Sequence, residues 1–288
     1  MTTATTATSS PATRRGAALP GPLRLGLART AYEVRGFFRE RDAVIFIFAY
    51  PVIMLAIFAT VFGQDGSDID FGGASVSFPQ YFLPGMVATG VMLSSFQNLA
   101  ISIAVERDEG ALKRLRATPL PAASYFLGKI GQVLVSCLLQ VAILLAVAAA
   151  AFDVPLPDDA GDWATFAWVL LLGTATGAVC GVAFSSLPRS GRSASAVVTP
   201  VVLVLQFVSG VFFRFDELPS WMQSVASLFP LKWMAQGMRS VFLPDEAATL
   251  EVGGSWQLGA TAAVLGAWLV VGLVVGVRTF RWRRRDDG

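Results

Sequence analysis

Residues 126–152 read FLGKIGQVLVSCLLQVAILLAVAAAAF, and the only charge in the stretch is Lys129, near its start. At 1.5 Å per residue this run makes a helix of roughly 40 Å, longer than the ~30 Å hydrocarbon core of a bilayer. Working outward, five more segments are long and almost free of charge: 43–63, 84–105, 163–187, 194–213 and 257–277. Six transmembrane helices are predicted. The whole chain agrees, since 54% of its 288 residues are hydrophobic and 15% are charged, where a soluble domain carries about 25% charged. Mean hydropathy is +0.60. Such a chain cannot cover its surface with polar groups, so much of that surface must face lipid. The fold class is all-α integral membrane.

Composition also excludes chemistry. There are no histidines, which removes His-ligated metals, Ser–His triads and imidazole relays. The two cysteines, Cys137 and Cys180, lie in apolar runs and suggest neither a disulfide framework nor a metal site. No catalytic residue and no metal ligand is expected.

The basic residues are strongly one-sided. Arg14, Arg15, Arg24, Arg29, Arg35, Arg39 and Arg41 precede the first span. Arg107, Lys113, Arg114 and Arg116 follow the second, Arg189 and Arg192 the fourth, and Arg278, Arg281, Arg283, Arg284 and Arg285 the sixth. That places 18 on one side against three, Arg214, Lys232 and Arg239, on the other. By the positive-inside rule both termini are cytoplasmic. Trp163, Trp256 and Trp282 fall at span ends, where aromatic rings anchor at the interface.

Four regions are expected: a disordered cytoplasmic tail at 1–22, an amphipathic helix at 23–42, the six-span domain at 43–277 and a basic tail at 278–288. In the second, Leu23, Leu27, Ala31, Val34, Phe37 and Phe38 share a helical face, with Arg24, Glu33, Arg35 and Arg39 elsewhere. Such a helix lies in the headgroup layer, as a plain anchor or as a docking element. The loop ERDEGALKRLRATPLPAAS at 106–124 predicts a short helix ending near Thr118, before Pro119, with Glu109 and Lys113 spaced for an ion pair. Between the fifth and sixth spans, two apolar stripes separated by Pro230 are too short to cross and predict a re-entrant or interfacial helical hairpin.

The spans hold no mid-membrane acid, so proton or sodium coupling lacks its usual residues. Polar stripes remain. Ser95, Asn98 and Ser102 lie on span two, Gln132, Ser136 and Gln140 on span three, and Ser195, Thr199 and Gln206 on span five. Uncharged polar residues at these spacings glue helices or line a substrate path. Gly173, Gly177 and Gly181, with Gly272 and Gly276, read as packing seams. The dipeptide Gly128-Lys129 has no glycine five positions upstream and is no phosphate-binding loop. Uphill work would need a partner that hydrolyses nucleotide.

Two stretches carry a family resemblance. ERDEGALKRLRATPLP at 106–121, followed by Tyr125 and Gly128-Lys129, resembles the segment after the second span of ABC type-2 exporter permeases, most closely the daunorubicin-resistance type of actinobacteria. SGVFF at 209–213, LPSW at 218–221 and LFPL at 228–231 resemble that family's outer stretch. The resemblance implies a bacterial plasma-membrane half-transporter. It would pair with a second copy or a paralogue and with separate ATP-binding-cassette subunits that hold the ATP and magnesium, leaving no cofactor in this chain. It further implies coupling to the ATPase through Glu106, Arg107, Asp108, Glu109, Lys113, Arg114 and Arg116, with Arg35 and Arg39 on a connecting helix. Ser95, Asn98, Thr199 and Gln206 would face a central cleft, and Trp221, Met222 and Phe229 an outer gate. The cargo would be a hydrophobic drug, a lipid or a lipid-linked glycan. A non-transporting scaffold or receptor-like anchor is the alternative from another class. Nucleic-acid binding is not indicated, because the basic residues stand where membrane topology already requires them.

Overall fold

The computed structural model describes residues 21–63, 68–71, 74–280 and 282. The expected tail at 1–22, apart from Gly21 and Pro22, lies outside the described residues, as do Arg281, Arg283, Arg284 and Arg285.

The chain begins with α1 (Pro22–Arg39) and turns at Glu40 into the first span, α2 (Arg41–Phe62). A two-residue antiparallel hairpin follows, β1 (Ile69–Asp70) with β2 (Ser75–Val76), which the sequence pattern does not announce. Span two is built in three pieces: α3 (Phe78–Met92), a π turn (Leu93–Gln97) and α4 (Asn98–Asp108). Then come α5 (Ala111–Arg116), span three as α6 (Ala122–Phe152), span four as α7 (Ala160–Phe184) and span five as α8 (Gly191–Val208). The stretch before span six folds as α9 (Ser220–Ala226) and α10 (Pro230–Phe242), and α11 (Leu258–Thr279) is span six. Among the described residues, six helices are long and apolar enough to cross a membrane.

Span two begins at Phe78 rather than at 84, with Pro84 inside the helix. Proline ends an exposed helix because its ring and missing N–H break the ladder. Inside a membrane bundle neighbouring groups can satisfy the freed backbone, and residues 81–92 are buried throughout. Span two is the hub. Of its most apolar stretch 78% is buried, against 17% for α2 and 22% for α11, which leave most of their surface to lipid.

Small residues set the closest contacts. Gly173, Gly177 and Gly181 of α7 lie against Met234, Ser95 and Phe96, and Gly272 of α11 lies against Cys180. A methyl group at Gly177 would collide with the Ser95 side chain, so the glycine rows are seams. At the other end of the bundle Phe58 stacks on Phe82 at 4.4 Å, tying α2 to α3. Trp282 does more than sit at an interface, because its ring lies 5.8 Å from Tyr125 and 5.1 Å from Phe280 in a partly buried aromatic cluster.

Candidate functional site

The face carrying the chain ends is organised around Lys129. Its ammonium is 4% exposed and pairs with Glu33 of α1 at 2.9 Å and with Glu106 at the end of span two. Tyr125 Oη donates to the second oxygen of Glu106 at 2.9 Å, and Arg29 pairs with Glu33. Four charged groups and one phenol thus join α1, α4 and α6. Glycine makes the approach possible: a side chain on Gly128 would strike Arg29, and one on Gly131 would strike Thr30. The sequence 128–131 that fails as a phosphate loop is the floor on which α1 rests.

The cluster also defines which side of α1 packs on the bundle. Its packed face is Gly26, Arg29, Thr30, Glu33 and Phe37, so Phe37 alone of the apolar row is buried against the bundle. Leu23 and Leu27 remain 69% and 66% exposed, free to meet a membrane surface. Glu33, which the helical pattern sets apart from the apolar row, is buried by its partners. Small residues at 26 and 30 let α1 approach the glycines of α6, and Glu33 is drawn to the same side by Lys129. Arg35 and Arg39 are exposed.

The loop after span two is also split differently. Gly110 takes a left-handed φ of 71°, so α4 stops and α5 restarts at an angle. Glu109 and Lys113 therefore do not share one helix. Glu106 turns inward to Lys129. Arg107 is buried and donates to the carbonyls of Ser185 at 2.9 Å and Pro188 at 2.8 Å, stapling the turn after span four to span two. Asp108 is half-buried, and Glu109, Lys113, Arg114 and Arg116 stand exposed. Leu112 anchors α5 in a small core with Leu99, Ile103, Tyr125 and Val133. The result is a short charged helix fixed to the bundle from beneath.

The polar stripe of span two is broken by the π turn. Ser95 points into the seam with Gly177 and donates to the Val91 carbonyl at 2.5 Å, so it does not face a cleft. The extra residue of a π turn shifts the helical phase, which a constant 3.6-residue reading cannot see. Past the turn, Asn98, Ser102, Glu106 and Glu109 lie on the wall of a groove of about 350 Å³ between α2 and α4. Gln206 is buried and accepts from Tyr50 Oη at 3.0 Å, joining spans one and five. Thr199 is half-buried on α8. On span three, Gln140 accepts from Ser94 at 2.5 Å in the space left by Gly90. Of the expected cleft residues, Asn98 stands on the wall of an open groove, with its amide donating to Gln132 Oε1 at 3.5 Å.

At the opposite face α10 is almost wholly enclosed by α3, α7 and α11. It carries a charged cluster that the sequence reading treated as loop residues. Arg239 pairs with Glu251 and donates to the carbonyl of Gly210. Lys232 lies 3.9 Å from Glu251, bonds Gln236 and sits 3.9 Å over the Trp233 ring. Gln236 in turn donates to the carbonyl of Trp256 at 2.9 Å. Burial pushes the Lys232 ammonium down to about 8, against the pull of Glu251 and with the push of Arg239. Two cations and one carboxylate hold α10 to the segments on either side. The legible signal was the spacing of Lys232, Gln236 and Arg239, four and three apart on one face of an otherwise apolar helix. Of the expected gate residues, Trp221 is 64% exposed on α9, Met222 is half-buried beside it, and Phe229 stacks on Trp268 at 6.0 Å.

The chain is similar in sequence to several curated transport permeases. The chain is 22% identical over 193 residues to the probable multidrug ABC transporter permease YbhR of Escherichia coli, covering 67% of this chain and 52% of that protein. The chain thus spans about half of YbhR's length. It is 27% identical over 195 residues to the inner membrane transport permease YadH of E. coli, covering 67% and 74%. It is 25% identical over 205 residues to the putative transport permease YvfS of Bacillus subtilis, covering 69% and 77%. Residues 27–243, from the middle of α1 to the end of α10, match the family described as ABC-2 type transporter. With six helices long and apolar enough to cross a membrane and a match over most of its length, the chain belongs to the ABC-2 type transporter family.

Proposed function

We propose that this permease is half of an ATP-driven exporter in a bacterial plasma membrane, with the basic face and both termini in the cytoplasm. Two copies, or one copy and a paralogue, would form the path. Separate ATP-binding-cassette subunits would bind and hydrolyse ATP with magnesium. The cargo class is a hydrophobic or amphipathic molecule such as a drug, a lipid or a lipid-linked glycan.

The observation that supports this best is the join between α5 and the Lys129 cluster. A partner gripping Glu109, Lys113, Arg114 and Arg116 would push on a helix seated by Leu112. The push would reach span two through Gly110, then span three and α1 through Glu106, Lys129 and Glu33. A scaffold would have no use for exposed charge braced on buried charge. Arg35 and Arg39 would extend the same surface along α1. Cargo would enter from the groove at Asn98, and α9 with Trp221, Met222 and Phe229 would form the exit cap.

Exposed ion pairs contribute roughly 0.2–1 kcal/mol each, so single changes on α5 should be nearly silent. The double variant Glu109→Lys with Arg116→Glu should weaken capture of the ATPase subunit and lower substrate-stimulated ATP hydrolysis and export together, with membrane insertion normal. Export at the wild-type rate with the ATPase still bound would remove α5 as the coupling surface.

A further inference from the structure

Among the described residues, spans five and six make little contact with each other. The first leans on α4 and the π turn, the second on α7 and α10. Between them runs a groove of about 290 Å³. One end is closed by Phe229 and Pro230 beneath the hairpin, where Phe229 stacks on Trp268. The other end opens at Leu187 and Thr279, on the basic face.

Three observations name an occupant. First, the lining is hydrocarbon. Its few polar side chains already donate within their own helices or to the next, Ser186 to the Ala183 carbonyl at 2.9 Å, Thr279 to the Val275 carbonyl at 2.8 Å and the Cys180 thiol to the Trp268 carbonyl at 3.6 Å, so a polar cargo would find few partners inside. Second, the groove has the right length. Trp268 and Thr279 bound it on α11, 11 residues apart, which is roughly 16 Å of helix, about half the ~30 Å hydrocarbon thickness. Third, charge stands at the mouth only. Arg189 lies two residues after Leu187, Arg278 directly before Thr279, and both are exposed.

We propose that this groove holds one acyl chain of an anionic phospholipid from the leaflet on the basic face, with its headgroup at Arg189 and Arg278. The lipid is a resident that fills the gap between spans five and six; it is not transported. An empty groove would forfeit the dispersion contacts of its whole lining, and a bilayer supplies the filler. Anionic headgroups are enriched on the cytoplasmic leaflet, so the headgroup assignment rests on the proposed orientation, while the chain in the groove does not.

The test uses the full-length permease in vesicles of phosphatidylethanolamine and phosphatidylglycerol. A trace of phosphatidylglycerol carries a diazirine at the end of its chain, and labelled peptides are mapped after photolysis. The expected label is concentrated at the closed end, on Phe229 and Trp268, several-fold above the exposed lipid face of α2 at Ile53 and Ile57. Val271→Trp with Val275→Trp fills the groove from its rim and should cut that label several-fold without changing the α2 label. Val270→Trp, one residue away and outside the groove, should change nothing. Arg189→Gln with Arg278→Gln should abolish the preference for phosphatidylglycerol over a phosphatidylethanolamine probe. Equal label on groove and α2 would make the contact ordinary boundary lipid and overturn the proposal. So would loss of label on adding an exported compound, which would make the groove a cargo site, or a disulfide between two copies bearing Val271→Cys, which would make it a subunit seam. None of these readouts needs the ATPase subunit, so failure of the coupling proposal leaves the result interpretable.

Discussion

Replacing Lys129 by methionine keeps most of the side-chain stem and removes the charge at the centre of the basic-face cluster. The side chains of Lys129, Glu33 and Glu106 are 4%, 9% and 24% exposed. Breaking a buried pair from one side costs about 3–5 kcal/mol, because the remaining charge is left without compensation. Here the cost should fall at the low end. Glu33 keeps Arg29, and Glu106 keeps the Tyr125 hydroxyl and some water. A loss of about 3 kcal/mol corresponds to a melting temperature lowered on the order of 6–12 °C, using the scaling for domains near this size. The purified permease would be melted in one detergent, wild type beside variant. Adding Glu106→Gln to Lys129→Met removes the carboxylate that has lost its cation and should recover part of the loss, a coupling of roughly 0.5–3 kcal/mol. Trypsin should reach Arg24 and Arg35 faster in the single variant, because α1 has lost its tie to α6. If Lys129→Met melts with the wild type and α1 stays protected, the cluster does not hold these helices together.

Cysteines placed at Ser75 and Arg192 should divide the two faces: an impermeant thiol reagent on whole cells should label position 75 alone, and the reverse pattern would invert the proposed orientation. Asn98→Leu should change which compounds stimulate the partner's ATPase while assembly stays intact, whereas Gln206→Leu should lower the melting temperature, since it strands Tyr50; a matching phenotype would make both residues packing. Glu251→Gln leaves two buried cations without their carboxylate and should cost roughly 3–5 kcal/mol, read as a lower melting temperature that Gln236→Ala does not reproduce. Lys232 titrates at about 8 when folded and near 10.5 when unfolded, so in that window the unfolded chain holds more protons and stability rises with pH. The melting temperature of wild type relative to Lys232→Met should therefore climb across this range, and a flat difference would refute the burial of a charged Lys232.

The six spans were legible because length and charge depletion are properties of composition, indifferent to which side of a helix faces what. The faces were harder. Hydrophobicity marked Leu23 and Leu27 as the membrane side of α1, and both are exposed, but it was silent on the packed side, which is chosen by glycines at 128 and 131 on another helix, a contact that single-helix periodicity cannot contain. Ser95 and Asn98 looked like one stripe because the π turn between them leaves no mark in residue type. Glu106 and Arg107 carry the same charge as their exposed neighbours. Only the fold decides that Lys129 and the carbonyls of Ser185 and Pro188 claim them. The Lys232–Arg239–Glu251 cluster was visible as spacing but lay in a stretch read for its apolar residues.

The π turn at residues 93–97 also makes span two a two-part shaft. Its hairpin-side half, α3, is gripped on all sides, and its basic-side half ends in Gly110 and α5. A π turn stores one residue more than an α-helix needs, and each residue of α-helix advances by about 100° around the axis. Slipping that stored residue out of the turn would swing Asn98, Ser102 and Glu106 by about that angle while α3 stayed still. Torque applied at the basic end would then be spent as a change of facing within the groove, with the far end of the span acting as a fixed bearing.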